Sequence, residues 1–134
     1  MAGPKTERGG EIVMVEPHYT STHLMAVDSG QCVLGVGRLH FSTLGEARIR
    51  YMGVATEYRR KGIGTLILRG LENKALGLGA ARIVLDARET ALGFYLKHGY
   101  VATGPGPMLF NRIAHVRMEK RLDRQASHPV RGAS

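Results

Sequence analysis

The chain has 134 residues, of which 43% are hydrophobic, and its 19 Lys and Arg against 11 Asp and Glu give a formal net charge of +8. This length fits one domain, and the apolar fraction is large enough for a hydrophobic core, which excludes a disordered chain. No apolar run approaches the ~20 residues of a membrane helix, and residues 1–11 lack the apolar stretch of a signal peptide. The single cysteine, Cys32, cannot form an internal disulfide and does not suggest a metal cluster, so we expect a cytoplasmic protein without a metal.

The excess of positive charge is compatible with nucleic acid, an anionic membrane or an acidic small ligand. The cations are scattered along the chain rather than gathered in one run or on one helix face. The sequence also lacks a cation-rich recognition helix and an aromatic–basic sheet motif. We therefore predict neither nucleic acid nor membrane as a partner. The alternative on charge alone is a basic surface without a ligand.

Alternating hydrophobicity and turn residues predict four strands before the first helix. They lie at residues 11–16, 23–27, 32–41 and 47–54. The second and third strands form a hairpin around Asp28-Ser29-Gly30, a turn-forming cluster. This assignment puts Cys32 on a strand, where we expect a small core residue rather than a catalytic thiol.

From Ile63 onwards the hydrophobic period becomes that of an amphipathic helix. Apolar residues fall at positions 63, 66, 67, 71, 75 and 78, and Gly77 and Gly79 end the helix. The remaining predicted elements are a short buried strand at 83–85, a helix at 89–98 stopped by Gly99, and strands at 100–103 and 115–122 joined by an irregular loop at 104–107.

The predicted element order is therefore β-β-β-β-α-β-α-β-β. It indicates an α/β (α+β) domain with a mixed, mostly antiparallel sheet of six or seven strands and flanking helices. We expect this domain to span residues 11–122. The stretches at 1–10 and 123–134 are rich in Gly, Ser, Pro and charge, and we expect them to be flexible termini.

The segment between the fourth strand and the first helix combines glycine with positive charge. It reads Arg59-Arg60-Lys61-Gly62-Ile63-Gly64. A helix N-terminus presents unpaired N–H groups and about half a positive charge, and glycines let a pyrophosphate approach those groups closely. The segment therefore predicts a phosphate cradle. The alternative is a tight turn at a helix start with solvated cations. No Walker A loop is present, and Gly35-x-Gly37 lacks the third glycine of a dinucleotide fingerprint.

Two motifs resemble those of the GNAT acyltransferase family, over about residues 22–122. Arg59-x-x-Gly62-x-Gly64 matches the signature [QR]-x-x-G-x-[GA], and residues 91–100 are similar to the motif A-x-x-F-Y-x-x-x-G-[FY]. The resemblance implies a GNAT fold with a splayed central strand pair and a shortened N-terminus. It also implies acetyl-CoA as co-substrate, with pantetheine paired to the strand at Met52-Gly53-Val54.

The resemblance also implies which residues form the site. The implied acetyl-CoA-binding residues are Met52, Val54, Arg59, Arg60, Lys61, Gly62, Ile63, Gly64, Thr65 and Arg88. The backbone N–H of Val54 would polarise the thioester carbonyl. Tyr95 corresponds to the tyrosine that often protonates the leaving thiolate, so it is the predicted catalytic residue. The alternative for Tyr95 is an aromatic side chain packed between helix and sheet.

The sequence departs from the family pattern in three places. Arg88 stands where many members carry an asparagine that binds pantetheine. Arg48 stands where members that acetylate histone lysines carry a glutamate base. The segment before the strand at 23–27 is too short for the helices that usually wall the acceptor pocket. A second subunit could complete such a pocket, so a homodimer is an expectation.

Strand alternation places Arg48 and Arg50 on one face with Met52 and Val54. Cationic residues near a thioester would repel a protonated lysine and attract a carboxylate or phosphate. We therefore expect a small-molecule or peptide acceptor, in particular a small amine or an anionic small molecule. The alternative is an arginine-rich solvent face. The general base stays open, with His115 among the candidates.

The predicted function is acetyl-CoA-dependent acyl transfer by direct attack within a ternary complex. The alternative is a non-catalytic CoA-binding sensor or scaffold. Residues 104–122 are also similar to the acetyltransferase domain of bacterial two-part enzymes that initiate fatty-acid synthesis. The second, thioesterase-like domain of those enzymes has no counterpart in this sequence, so we do not transfer the lipid role.

Overall fold

The computed structural model describes residues 12–15, 23–43, 45–58, 62–107 and 114–122. The elements of this part are β1 (Val13–Val15), β2 (His23–Val27), β3 (Val33–Thr43), β4 (Glu46–Val54), α1 (Ile63–Gly77), β5 (Arg82–Arg88), α2 (Leu92–Lys97), β6 (Val101–Pro105) and β7 (His115–Arg121). Their order confirms the predicted one. The predicted flexible termini at 1–10 and 123–134 lie outside the described residues.

The strands form one seven-stranded sheet in the order β1-β2-β3-β4-β5-β7-β6. Pairing is antiparallel between β1 and β2, β2 and β3, β5 and β7, and β7 and β6. Only β4 and β5 pair in parallel among the registers described, from Glu46 opposite Arg82 to Ile49 opposite Leu85. Residues 50–54 of β4 and 86–88 of β5 lie beyond that register. The predicted fold class, a mixed and mostly antiparallel sheet with helices, is confirmed.

The chain divides into two compact units. The first contains residues 1–40 and 50–74, and the second contains residues 41–49 and 75–134. The buried side chains of the first unit include Leu34, Leu39, Ile67 and Leu71, and those of the second include Ile83, Leu85, Tyr100 and Met118. Each unit therefore has its own buried apolar side chains.

In the first unit, α1 lies very close to β3 because glycines of the strand face the helix. A Cβ atom at Gly35 would lie 2.6 Å from Ile67 Cδ1, and one at Gly37 would lie 2.8 Å from Leu71 Cδ1. Real Cβ atoms do not make such contacts, so a side chain at either position would displace its neighbours. The two glycines that form an incomplete dinucleotide fingerprint in the sequence are therefore packing residues.

The β2–β3 hairpin turns where the sequence predicts it. Asp28 Oδ1 accepts hydrogen bonds from the N–H groups of Gly30 and Cys32, both at 2.9 Å, and Gln31 adopts a φ of 65°. An aspartate that bonds the backbone a few residues on is a typical turn device. The prediction that Cys32 is a core residue is wrong, because it precedes β3 and is exposed. The turn holds its backbone at the surface.

Both helices end in glycine caps, as predicted. At the end of α1, Gly79 has a φ of +95°, its N–H donates to Leu76 O at 3.0 Å, and the N–H of Ala80 donates to Ala75 O at 2.9 Å. These two bonds are those of a Schellman motif, which requires a left-handed residue at the position of the glycine. The same arrangement recurs after α2, with Gly99 at a φ of +93°.

The second half of the chain differs from the prediction in its boundaries. The predicted helix at 89–98 begins as a 3₁₀ turn, Glu89–Ala91, and only Leu92–Lys97 is α-helical. The predicted loop at 104–107 begins inside β6, which continues to Pro105 through a register shift between Ala102 and Gly104. Glycine and proline indicate a loop locally, but pairing with β7 extends the strand past them.

Candidate active site

The N-terminus of α1, the predicted phosphate cradle, starts from a glycine in the left-handed region. Gly62 precedes the helix with a φ of +84°, and a Cβ atom on it would meet no described atom within 4 Å. Its carbonyl accepts the N–H of Leu66 at 3.1 Å, so the helical ladder starts here. The N–H groups of the first turn, which includes the predicted residues Ile63, Gly64 and Thr65, precede this ladder. The predicted cations Arg59, Arg60 and Lys61 lie outside the described residues.

Gly35 brings the start of α1 and the end of β4 together. A Cβ atom at Gly35 would lie 2.9 Å from the carbonyl oxygen of Gly53 and 3.2 Å from Ile63 Cγ2. Gly53 lies between the predicted pantetheine-binding residues Met52 and Val54, which are half-buried. The strand segment and the helix N-terminus that the sequence predicts to bind one ligand are thus neighbours in the first unit.

Tyr51 is a residue of this region that the sequence analysis did not single out. Its side chain is 58% exposed, and its hydroxyl would lie 2.8 Å from a Cβ atom on Gly53. An aromatic residue two positions before a glycine on one strand can lie over the bare backbone, because residues i and i+2 share a face. This spacing was the signal that could have found Tyr51.

Arg48 and Arg50, which the prediction placed on one face of β4, differ in exposure. Buried and half-buried residues alternate from Glu46 to Ile49, whereas Arg50 and Tyr51 are both exposed. The two arginines therefore have different surroundings. Their placement on one face stays a prediction.

Tyr95 lies in the second unit, in a cluster of aromatic rings. Its ring centroid is 5.1 Å from that of Phe94 and 5.6 Å from that of Tyr100, both in edge-to-face arrangements. Only 8% of Tyr95 is exposed, and burial raises the pKa of its phenol to about 12. The phenol is therefore neutral at physiological pH, as its predicted role requires, but it is a weaker acid than a solvated tyrosine.

The cap of α2 orients Tyr95. The N–H of Tyr100 donates to Tyr95 O at 3.0 Å, and the N–H of Gly99 donates to Leu96 O at 3.1 Å. In such a cap, the residues at the two ends of the longer bond often pack together, here the rings of Tyr95 and Tyr100. The motif that the sequence identified by its A-x-x-F-Y-x-x-x-G-[FY] pattern is thus also a helix-capping motif.

Arg88 lies at the end of β5, opposite His115 of β7. It is exposed and immediately precedes the 3₁₀ turn that leads to α2, and its side chain makes no capping hydrogen bond. Its predicted role in binding pantetheine stays a prediction.

Arg48 is held in an ion-pair cluster that sequence reasoning missed. Asp86 Oδ2 accepts from Arg48 Nη1 at 3.0 Å, and Asp86 Oδ1 accepts from Arg117 Nε at 3.0 Å. The Arg117 pKa is raised, first by this hydrogen bond and then by the charge of Asp86. The alternation of charged residues along β5 and β7 was present in the sequence, but only the strand register shows that Asp86 and Arg117 are direct partners.

Among the described residues, no group of three or more His, Cys, Asp and Glu side chains is arranged to hold a metal ion. Within the same part of the chain, neither helix has the length and apolar character needed to cross a membrane.

The family model of the acetyltransferase (GNAT) domain matches residues 12–122. The chain belongs to this family. Among curated proteins, it is 32% identical over 100 residues to the uncharacterized N-acetyltransferase YjcF of Bacillus subtilis (strain 168), a match that covers 75% of this chain and 70% of YjcF. The GNAT resemblance seen in the two sequence motifs is confirmed.

Two solved structures illustrate the shared fold. An acetyltransferase from Bacillus cereus superposes with a TM-score of 0.68 at 24% identity, covering 87% of this chain and 79% of that one. The PaiA N-acetyltransferase from Thermoplasma acidophilum, in complex with coenzyme A, superposes with a TM-score of 0.64 at 20% identity. The match covers 74% of this chain and 59% of the PaiA chain. At these identities the likeness concerns the fold alone.

Proposed function

We propose that this GNAT-family protein transfers an acetyl group from acetyl-CoA directly to the amine of a small acceptor that carries a negative charge. The observation that carries the donor half of the proposal is the junction at Gly35. There the carbonyl of Gly53 and the side chain of Ile63 lie within 3.2 Å of one point, so the end of β4 and the first turn of α1 are neighbours, which supports a ligand that contacts both. Pantetheine would pair with Met52–Val54, and the pyrophosphate would bind the N–H groups that follow Gly62.

The reaction needs no covalent enzyme intermediate. The neutral acceptor amine attacks the thioester carbonyl carbon, the C–N bond forms, and the C–S bond breaks. The amine loses one proton and the leaving sulfur gains one, so the products are the acetylated amine and free CoA thiol. The donor and the acceptor would thus be bound together in a ternary complex.

Acid strength limits what Tyr95 can contribute. A phenol with a pKa of about 12 is about 3.5 units weaker than a thiol of pKa ~8.5, so complete proton transfer to the thiolate would cost ~5 kcal/mol. A hydrogen bond from the phenol to the developing thiolate has no such cost. We therefore assign Tyr95 the role of hydrogen-bond donor to the leaving sulfur, with the departing amine proton as the proton source.

The acceptor half of the proposal comes from the charge of β4. Arg48 stands where histone-acetylating relatives carry a glutamate base. It is a cation paired with Asp86, so it cannot act as a base. This favours an acceptor other than a protein lysine. It also supports the second candidate function, a CoA-binding module that senses or scaffolds. The homodimer, the cytoplasmic location and the likeness to fatty-acid-initiating enzymes stay predictions.

Calorimetry with acetyl-CoA and a thiol-release assay over a panel of amines test this function. We expect saturable binding and acceptor-dependent release of CoA thiol. Tight binding without thiol release for any acceptor would support the module instead, and absence of binding would overturn both.

A matched pair of glycine variants tests the cradle. Gly62 and Gly45 both have positive φ, +84° and +82°, and a Cβ atom on either would meet no described atom within 4 Å. Alanine at each position should therefore cost a similar ~1–2 kcal/mol of stability. We expect only Gly62→Ala to weaken acetyl-CoA binding, by about tenfold, because its Cβ and its altered backbone would disturb the phosphate contact. Equal affinity in the two variants would contradict the cradle.

A further inference from the structure

One face of the sheet in the second unit carries two ion-pair clusters whose net formal charges have opposite signs. Cross-strand partners share a face, so the residues opposite one another on β4, β5 and β7 can be compared directly. At Arg82, one arginine contacts two carboxylates, Glu46 at 2.7 Å and Glu119 at 3.8 Å. At Asp86, one carboxylate contacts two arginines, Arg48 and Arg117, each at 3.0 Å. The three formal charges sum to −1 in the first cluster and to +1 in the second.

Asp86 holds Arg117 in a defined orientation. Arg117 donates from Nε to Oδ1 at 3.0 Å and from Nη2 to Oδ2 at 3.4 Å, so one edge of the planar guanidinium faces the carboxylate. A Cβ atom on Gly106 would lie 2.9 Å from Asp86 Oδ1, so the backbone after β6 closes over the same carboxylate. Asp86 thus connects β4, β7 and the segment after β6.

The opposite edge of Arg117 is available to a ligand. A guanidinium has five N–H groups, and in the described part of the chain the hydrogen bonds of the Arg117 guanidinium involve only Nε and Nη2. The side chain of Arg117 is 41% exposed, whereas that of Arg48 is 14% exposed. Arg48 is therefore the less accessible cation of the cluster, and Arg117 is the one that a ligand in solution can reach more easily. Arg88 and His115 lie on the next pair of this face.

We propose that Arg117, oriented by Asp86 and supported by Arg48, binds a carboxylate group of the acyl acceptor. A planar fork of N–H groups matches two carboxylate oxygens, and an oriented fork loses less entropy on binding than a free side chain. The assignment rests on the proposed acetyl transfer and narrows its acceptor to an amine that also carries a carboxylate.

Matched acceptors test the carboxylate. Amino acids are compared with the corresponding amino amides, which keep the amine and lose the charge. Amidation lowers the pKa of the amine, so a larger fraction of the amide is neutral and able to attack. Amine ionisation thus favours the amide. A preference for the acid must therefore have another cause. We expect kcat/KM to be about 10- to 100-fold higher for the acid, the range of one charge-assisted hydrogen-bond pair.

Arg117→Gln should abolish this preference while kcat/KM for the amides stays within about threefold. Arg82→Gln is the matched control, because Arg82 is similarly exposed, at 46%, on the same face and lies in the cluster of opposite sign. It should preserve the preference. Arg117→Lys keeps the charge without the fork, so we expect a partial loss, and thermal melting shows that each variant is folded. An unchanged preference in a folded Arg117→Gln protein would overturn the proposal.

Binding of amine-free anions separates this site from the acetyl transfer itself. In NMR titrations with succinate, we expect the chemical shift of the Arg117 Nε–H signal to change saturably. The chemical shift of the Arg82 Nε–H signal should not change. If succinate shifts Arg117 but no amine is acetylated, the transfer fails and the carboxylate site stands. If transfer occurs without an acid preference and succinate shifts neither arginine, or both alike, the site fails. A larger response to inorganic phosphate than to succinate would contradict the choice of carboxylate.

Discussion

Tyr95 shows how the surroundings of one residue change what its chemistry can do. Two aromatic rings pack against the phenol, and burial raises its pKa to about 12. The side chain is thus a neutral hydrogen-bond donor over the whole physiological range. The structure shows the packed aromatic side chain, and the catalytic role of Tyr95 stays a prediction. Activity and stability measurements on one variant distinguish their contributions.

We expect Tyr95→Phe to lower kcat by about 10- to 100-fold and to change the KM for acetyl-CoA by less than threefold. The lost hydrogen bond acts on the thiolate that develops in the transition state rather than on the bound thioester. Because the phenol is a weak acid, we expect an effect at or below the lower end of the roughly 10²–10⁴-fold range of acid–base catalysis. Steady-state kinetics with one acceptor measure this. A variant with wild-type kcat would leave Tyr95 only its packing role.

The same variant tests the burial of the phenol through alkaline stability. The folded pKa of about 12 lies above the unfolded value of 10.0, so the unfolded state ionises first as the pH rises. The wild type should therefore lose stability between pH 10 and pH 12, on the order of 2 kcal/mol from this group, and none from it below pH 10. Tyr95→Phe should show a shallower loss in urea unfolding over this range. Parallel curves for the two proteins would contradict the raised pKa.

At the scale of elements, the contact between α1 and β3 positions the cradle. The helix approaches the strand through Gly35 and Gly37, and Ile63, the first residue of α1, contacts the same Gly35 that touches the backbone of β4. Packing of this first turn therefore determines where the N–H groups of the helix point. Helix propensity alone would form α1 without directing it.

Glycine-to-alanine variants should separate this contact into its parts. Gly35→Ala brings a Cβ atom to 2.9 Å from the backbone oxygen of Gly53, which cannot move easily, so we expect ~1–3 kcal/mol of destabilisation and weaker acetyl-CoA binding. A Cβ atom at Gly37 would lie 2.7 Å from Ile67 Cγ2 and 2.8 Å from Leu71 Cδ1, which are side-chain rather than backbone atoms, so Gly37→Ala should cost less. Gly77→Ala, where the space is open at the end of α1, should be neutral or stabilising by up to ~1 kcal/mol. Urea midpoints and calorimetry measure the series. A Gly35→Ala protein as stable as Gly77→Ala would contradict the close contact.

At the scale of the whole molecule, the net charge of +8 is a property of the surface rather than of one site. Some of the arginines are committed to carboxylates, as Arg48, Arg82 and Arg117 show. The net charge already subtracts these carboxylates, so the whole excess of +8 contributes to a positive field that would attract the phosphates of acetyl-CoA. A charge that serves donor binding is to be distinguished from a basic surface without a ligand.

Ionic strength tests that distinction. Between about 50 and 500 mM NaCl the Debye length falls from more than 10 Å to less than 5 Å, so a field-dependent encounter weakens. We expect the KM for acetyl-CoA to rise several-fold over this range, while kcat changes by less than twofold. Steady-state kinetics at fixed acceptor concentration measure this, with a neutral acceptor as control. A constant KM would show that the charge has no role in donor binding.

Features that depend on neighbouring residues could be predicted from the sequence. The turn at Asp28, the start of α1 near Gly62 and the glycine caps at Gly79 and Gly99 each arise from residues a few positions apart, because a positive φ or a short hydrogen bond is a local property. The order of strands and helices and the GNAT motifs follow from the same local patterns. The sequence by itself therefore determined the family, the element order and the placement of the candidate donor site.

Only the tertiary structure decided which charged side chains are paired and which side chains pack against one another. Asp86 meets Arg48 across 38 residues and Arg117 across 31, and these pairs exist only in one strand register. The exposure of Cys32, the extension of β6 to Pro105 and the closeness of α1 to Gly35 likewise depend on partners that are distant in sequence. A side chain's charge and size are written in the sequence. Whether that charge is neutralised, or that space is filled, depends on which strands and helices become neighbours.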